Sequence, residues 1–127
     1  MYNISQISRY LLALILLIFG TNKIVPFLDL PPYQVETSAG IFYAGIFASG
    51  YLWYLIAITE TVVGVLLILN RWVPLALLVL FPHTLNIVLF HLFNDLPSIT
   101  AGAVAFVLNI FLMLEHKEKY RPLLQPS

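Results

Sequence analysis

The sequence predicts an all-α membrane protein: a four-transmembrane-helix antiparallel bundle with a short interfacial helix in the first outer loop. Three observations carry that expectation. The chain of 127 residues is 61% hydrophobic and 9% charged, whereas soluble domains average about 25% charged residues. Its apolar residues fall into four runs near the roughly 20 residues that a helix needs to cross a hydrocarbon core of about 30 Å. Each run ends at proline, asparagine or a charged residue. One membrane domain over residues 1–127 is expected from this length.

The first span is read over residues 6–25, stopped by Pro26 and followed by Pro31 and Pro32, which cannot continue a helix. Arg9 ahead of an apolar block could mimic a signal peptide. No small-x-small cleavage site follows, so the segment is read as a retained span. The second span covers 50–69. Asn70-Arg71-Trp72 makes a tight polar connection, and Pro74 suits the first turn of the third span, 73–93, which carries Pro82 as an expected kink. The turn 94–98 offers Ser98 as a cap for the fourth span, 99–114, before the charged tail 115–121. Between them, residues 34–49 form the one substantial loop. Its apolar centre is too short to span and is read as a helix lying at the interface.

Arg9, Arg71, Lys117, Lys119 and Arg121 fall on one side of this layout and Lys23 alone on the other. The positive-inside rule then sets both termini in the cytoplasm. The expected location is the bacterial inner (plasma) membrane, with the lipid bilayer as the first partner. Formal net charge is zero, and no basic run with interleaved aromatics suggests nucleic acid. There is no cysteine. That excludes dithiol chemistry, thiolate metal sites, and electron transfer between protein disulfides and quinone through the chain's own cysteines.

The feature that asks for a function is Glu60, a carboxylate in mid-span. On insertion scales it costs roughly 2.5–3.5 kcal/mol, and such acids face a partner or a wet cavity. At about 1.5 Å per residue, Glu60 lies roughly 14 Å from the cytoplasmic end of its helix and His83 roughly 15 Å along its own. Asn86 follows His83 by three residues, and Asn22 and Lys23 close the first span. Glu60, His83, Asn86, Lys23 and Asn22 are therefore the candidates for a ligand or proton pocket. Gly20, Gly64, Ala101, Ala105 and Asn109 are read as packing positions, with Asn109 as polar glue on a small-residue face. Structural readings stay open beside these: Glu60 as a register-fixing carboxyl, His83 and Asn86 as interhelical hydrogen bonders, Lys23 as a residue snorkelling to headgroups. The aromatics Phe42, Tyr43, Phe47, Tyr51, Trp53, Tyr54 and Trp72 are first an interfacial belt.

No metal site is expected. His83 and His91 are eight residues and about 80° apart on a helix, and no carboxylate completes a set on that helix. No Glu-x-x-His pair, phosphate loop or nucleophile elbow occurs. No catalytic centre can be named, and whether the chain is part of an enzyme stays open.

The order of features resembles the DoxX family of small four-span membrane proteins. The residues that carry it are Phe19-Gly20-Thr21-Asn22-Lys23, Ser49-Gly50-Tyr51-Leu52, and the stretch from Ile56 to Leu67 with its Glu60-x-x-x-Gly64 core. Asn70-Arg71-Trp72-Val73-Pro74-Leu75-Ala76 and Lys119-Tyr120-Arg121-Pro122 complete it. The resemblance implies an accessory subunit of a membrane redox complex, with Gly20, Lys23, Glu60 and Gly64 as matching site or packing positions. A quinone is the cofactor that such a subunit would contact, through an apolar slot and a few hydrogen-bonding groups. Two alternatives stay open: a non-catalytic membrane assembly factor or chaperone, and transport of a small solute or proton. The partner is accordingly a redox protein, a membrane client or a further copy of the chain.

Overall fold

The structure, a computed structural model, describes residues 3–126. The order is α1 (Ile4–Ile24), α2 (Ser38–Ala48), α3 (Leu52–Leu69), α4 (Val73–Asn94), a 3-10 turn (Leu96–Ser98), α5 (Thr100–Glu115), α6 (Lys117–Tyr120) and a last 3-10 turn (Arg121–Leu124). No strand occurs among the described residues. The fold is all-helical.

Local chemistry sets the helix ends. The N-terminus of α1 is a reciprocal capping box: Gln6 N–H donates to Asn3 Oδ1 at 2.8 Å, and Asn3 N–H to Gln6 Oε1 at 3.1 Å. That satisfies two of the amides a helix start leaves open. The helix ends one residue before the expected stop, ahead of Pro26. α3 closes on Asn70 in the left-handed region (φ 54°), where asparagine is enriched. Arg71 N–H reaches Leu66 O at 3.0 Å and Asn70 N–H reaches Leu67 O at 3.3 Å, the crossed pair of a Schellman ending. Trp72 is also left-handed (φ 49°), so the α3–α4 connection reverses the chain within three residues.

Ser98 does not cap the fourth apolar helix. It lies in the preceding 3-10 turn, and α5 starts at Thr100 after Ile99 with no side-chain cap. The 3-10 bonds from Ser98 N–H to Asp95 O and from Ile99 N–H to Leu96 O take up this corner instead.

Helices α1, α3 and α4, of 21, 18 and 22 residues, are long and apolar enough to cross a membrane. At 16 residues, α5 reaches that length only with its continuation Lys117–Leu124, from which it is bent by 77°. α1 packs along α3 and also touches α5, while α4 packs on α5 and on α3. The apolar core gathers Leu12 and Leu16 of α1, Val63 and Leu67 of α3, Leu77 and Leu80 of α4, and Ala105 and Leu112 of α5. Thus early α1, late α3, early α4 and late α5 share one level, which leaves the other end for polar residues. Below that core, Arg9 is buried and donates through Nη1 to Leu67 O. A cation on the last carbonyls of α3 is favourably placed against the helix dipole.

Candidate functional site

The site begins with a glycine. A Cβ on Gly20 would stand 2.7 Å from Thr61 Oγ1 and 3.0 Å from both Glu60 Cβ and Thr61 N. Only a residue without a side chain lets α1 approach α3 this closely. One turn below, Gly64 does the same from the other helix, meeting Leu17 at 2.8 Å. Thr61 Oγ1 is buried in this seam with no hydrogen-bond partner among the described residues.

The close seam brings Lys23 onto Glu60. Lys23 Nζ lies 2.7 Å from Glu60 Oε1, and His83 Nε2 lies 3.1 Å from Glu60 Oε2. Glu60 is 3% exposed, while the side chains of Lys23 and His83 keep 17% and 15%. Lys23 Nζ also donates to Phe19 O at 3.3 Å and stands 5.6 Å from the centre of the Trp53 ring. Trp53 Nε1–H donates to the backbone O of Lys23 at 3.1 Å. The lysine is therefore held at both ends, by its carbonyl and by its ammonium. With Glu60 ionised, Nε2–H of His83 is the donor, and the neutral imidazole keeps an acceptor lone pair on Nδ1.

Aromatic rings roof the triad on the side of α2. Tyr43 stands edge-on to Trp53 at 5.9 Å and to Phe90 at 5.5 Å, and Phe47 lies 4.6 Å from Trp53. The loop before α2 is tied down by Tyr33, whose hydroxyl donates to Asp95 Oδ2 at 2.5 Å. Asp95 is thereby held below the usual carboxylate range, first by the Tyr33 bond, with burial opposing and Ser98 and His91 adding to the lowering. The Tyr33 phenol is pushed up, chiefly by burial and next by that same bond.

Of the expected pocket residues, the structure brings Glu60, His83 and Lys23 together. It does not bring Asn22 or Asn86 to them. Asn22 Oδ1 accepts from Phe27 N–H and Leu28 N–H, both at 2.8 Å, shaping the exit from α1. Asn86 is exposed on α4. Of the packing residues, Gly20, Gly64, Ala105 and Asn109 are buried and Ala101 is half-buried. Gly102 takes the closer contact, with Ile87 2.5 Å from where its Cβ would be. Asn109 is fully buried; its Nδ2 donates to Leu77 O at 3.1 Å, and its Oδ1 accepts from Thr84 Oγ1 at 2.7 Å. Thr84, Gly102 and Arg9 were not singled out for these roles. A glycine in a small-residue run and a threonine one turn from an asparagine's level were the available signals.

His91 Nδ1 lies 3.1 Å from Asp95 O and 3.8 Å from Asp95 Oδ2. No group of three or more His, Asp or Glu residues is placed to hold a metal among the described residues.

With this geometry in view, the profile of the DoxX family matches residues 4–92, which include α1 through most of α4 and all three members of the triad. The chain belongs to the DoxX family. No curated protein and no solved structure gives a significant match to it. Within this DoxX protein, the matched region contains every contact made by Glu60, Lys23, His83 and Trp53 described above.

Proposed function

We propose that this DoxX protein is an accessory subunit of a membrane redox complex that contacts a quinone through the Lys23–Glu60–His83 triad. In this reading the chain is one membrane domain. Its four apolar helices form an antiparallel bundle with both termini in the cytoplasm of a bacterial cell, and α2 rests at the outer interface. The observation that carries the proposal is a carboxylate buried to 3% whose two oxygens meet an ammonium and an imidazole. Intramembrane acids held by partners mark substrate or proton paths by default.

His83 supplies the reachable edge. Its Nε2 is committed to Glu60 and its ring is partly exposed, so a lipid-soluble carbonyl compound can approach between α3 and α4. A quinol hydroxyl there would donate a hydrogen bond to Nδ1 and pass its proton to the ring, and a quinone would accept only from the Nδ1–H so formed, while Lys23 and Glu60 balance the charge. The test is binding of a quinone analogue to the purified protein. Glu60→Gln and His83→Ala are each expected to weaken it; unchanged binding in both variants ends the proposal.

A second reading, a non-catalytic assembly factor or chaperone, draws on the glycine-closed α1–α3 seam. That seam and the occupied carboxylate oxygens suit a rigid pin. Crosslinking in native membranes separates the two, because this reading requires a client membrane protein in place of an oxidoreductase. Solute or proton transport ranks below both, since four helices leave little room for alternating access.

A further inference from the structure

Six residues of α4 form an outward-facing stripe that no other helix covers: Leu75, Val79, Pro82, Asn86, Leu89 and Phe93, all exposed. Their spacing alternates four and three along the helix. A 3.5-residue repeat is the seam of two helices that coil around each other with a left-handed twist. Five of the six are apolar, as expected of a face toward lipid. Asn86 is the exception, eight residues before the end of α4, so about 12 Å inside the helix terminus. Its amide has no hydrogen-bond partner among the described residues, whereas Asn109 is engaged through both amide atoms and Asn22 through its oxygen. An amide left bare in hydrocarbon is costly.

We infer that a second copy of this chain covers the stripe, with α4 packed on α4 of the partner about a two-fold axis along the membrane normal. Two arguments select a second copy. An asparagine amide carries both a donor and an acceptor, so Asn86 and Asn86 of the partner subunit satisfy each other. Both copies must also share one orientation in the bilayer, so an axis along the normal sets identical residues at identical depth. The interface is then isologous, and a single asparagine in an apolar seam fixes its register. The remaining seam residues carry no charge that would choose a different protein. Pro82 interrupts the helical hydrogen bonding at mid-seam, which leaves Asn86, Leu89 and Phe93 together in one unbroken stretch.

The test uses the full chain labelled at its amino terminus with donor and acceptor dyes, in phosphatidylcholine–phosphatidylglycerol vesicles of increasing lipid-to-protein ratio. Energy transfer is expected to show a dimer, which N86L weakens about tenfold and N86Q preserves. Because the chain has no cysteine, L89C is expected to form a disulfide-linked dimer on oxidation, whereas V107C, exposed on α5, is not. Thermal unfolding of N86L and the parent at a dilution where both are monomeric, expected to match, separates lost association from lost folding. The inference is overturned by a monomer at every ratio, by an N86L dimer as strong as the parent, or by equal linking of V107C and L89C. Linking of L89C in native membranes only to a different protein overturns it as well. None of these variants touches the triad, so the quinone proposal stands or falls separately.

Discussion

Lys23 and Glu60 stand 2.7 Å apart across a helix seam that Gly20 and Gly64 make narrow. The ammonium and the carboxylate come from residues 37 positions apart, and a third group, the His83 imidazole, occupies the other carboxylate oxygen. Removing one charge of such a pair strands the other away from water.

Lys23→Met is therefore expected to destabilise the protein by about 3 kcal/mol, the low end for breaking a buried pair. Lys23→Met combined with Glu60→Gln should cost clearly less than the sum of the single changes. A double-mutant cycle on unfolding in detergent measures this. Strict additivity would mean that the two side chains do not act together.

Gly20→Ala is expected to cost about 1–3 kcal/mol, as overpacking does. Its Cβ would press on the backbone N of Thr61 at 3.0 Å, which cannot rotate away. Gly45 provides the control. A Cβ there meets nothing within 4 Å in the middle of α2, so Gly45→Ala should be neutral or stabilising by up to about 1 kcal/mol. Thermal unfolding of both variants checks the contrast, and a tolerant Gly20 would refute the close seam.

Asn109 and Thr84 lock α5 to α4. Asn109→Leu leaves Leu77 O and Thr84 Oγ1 without this partner, at about 1–3 kcal/mol for a stranded buried group. Thr84→Val should lose less, because it strands only Asn109 Oδ1, while the Asn109 Nδ2 bond to Leu77 O and the side-chain shape are kept. Adding Thr84→Val to Asn109→Leu should recover part of the loss, as read from denaturation midpoints.

The Tyr33–Asp95 tie makes the loop before α2 sensitive to acid. Asp95 has a lowered folded pKa, so its contribution is present above the unfolded value of about 3.9. It is lost as pH falls through the lower folded value. A spin label at Leu30→Cys should gain mobility below about pH 4. With Asp95→Asn that acid step should vanish, and an unchanged step would assign it to another group.

Much of this could be read from residue order. Counting depth along two helices was enough to pair Glu60 with His83, because both helices start from one short connection whose level is known. Lys23 was reachable because it closes the first apolar run at a comparable level, one turn past a glycine. Asn86 was grouped with His83 by its three-residue spacing, yet such neighbours differ by about 60° around the axis, and α3 reaches only the nearer one. Asn22 was lost to its own backbone, since its amide oxygen captures two N–H groups of the loop. Arg9 read as a flanking charge because its target, the Leu67 carbonyl, is a backbone group that exists only once α3 has ended nearby. Backbone acceptors leave no trace in residue identity.

The indole of Trp53 hydrogen-bonds the carbonyl of Lys23 and faces its ammonium at 5.6 Å. The chain has just two tryptophans, and replacing Trp72 with phenylalanine would leave a single indole to excite selectively over the tyrosines. Emission from that one ring would then report optically, without any added dye, each time the neighbouring cation gains, loses or changes its counter-ion.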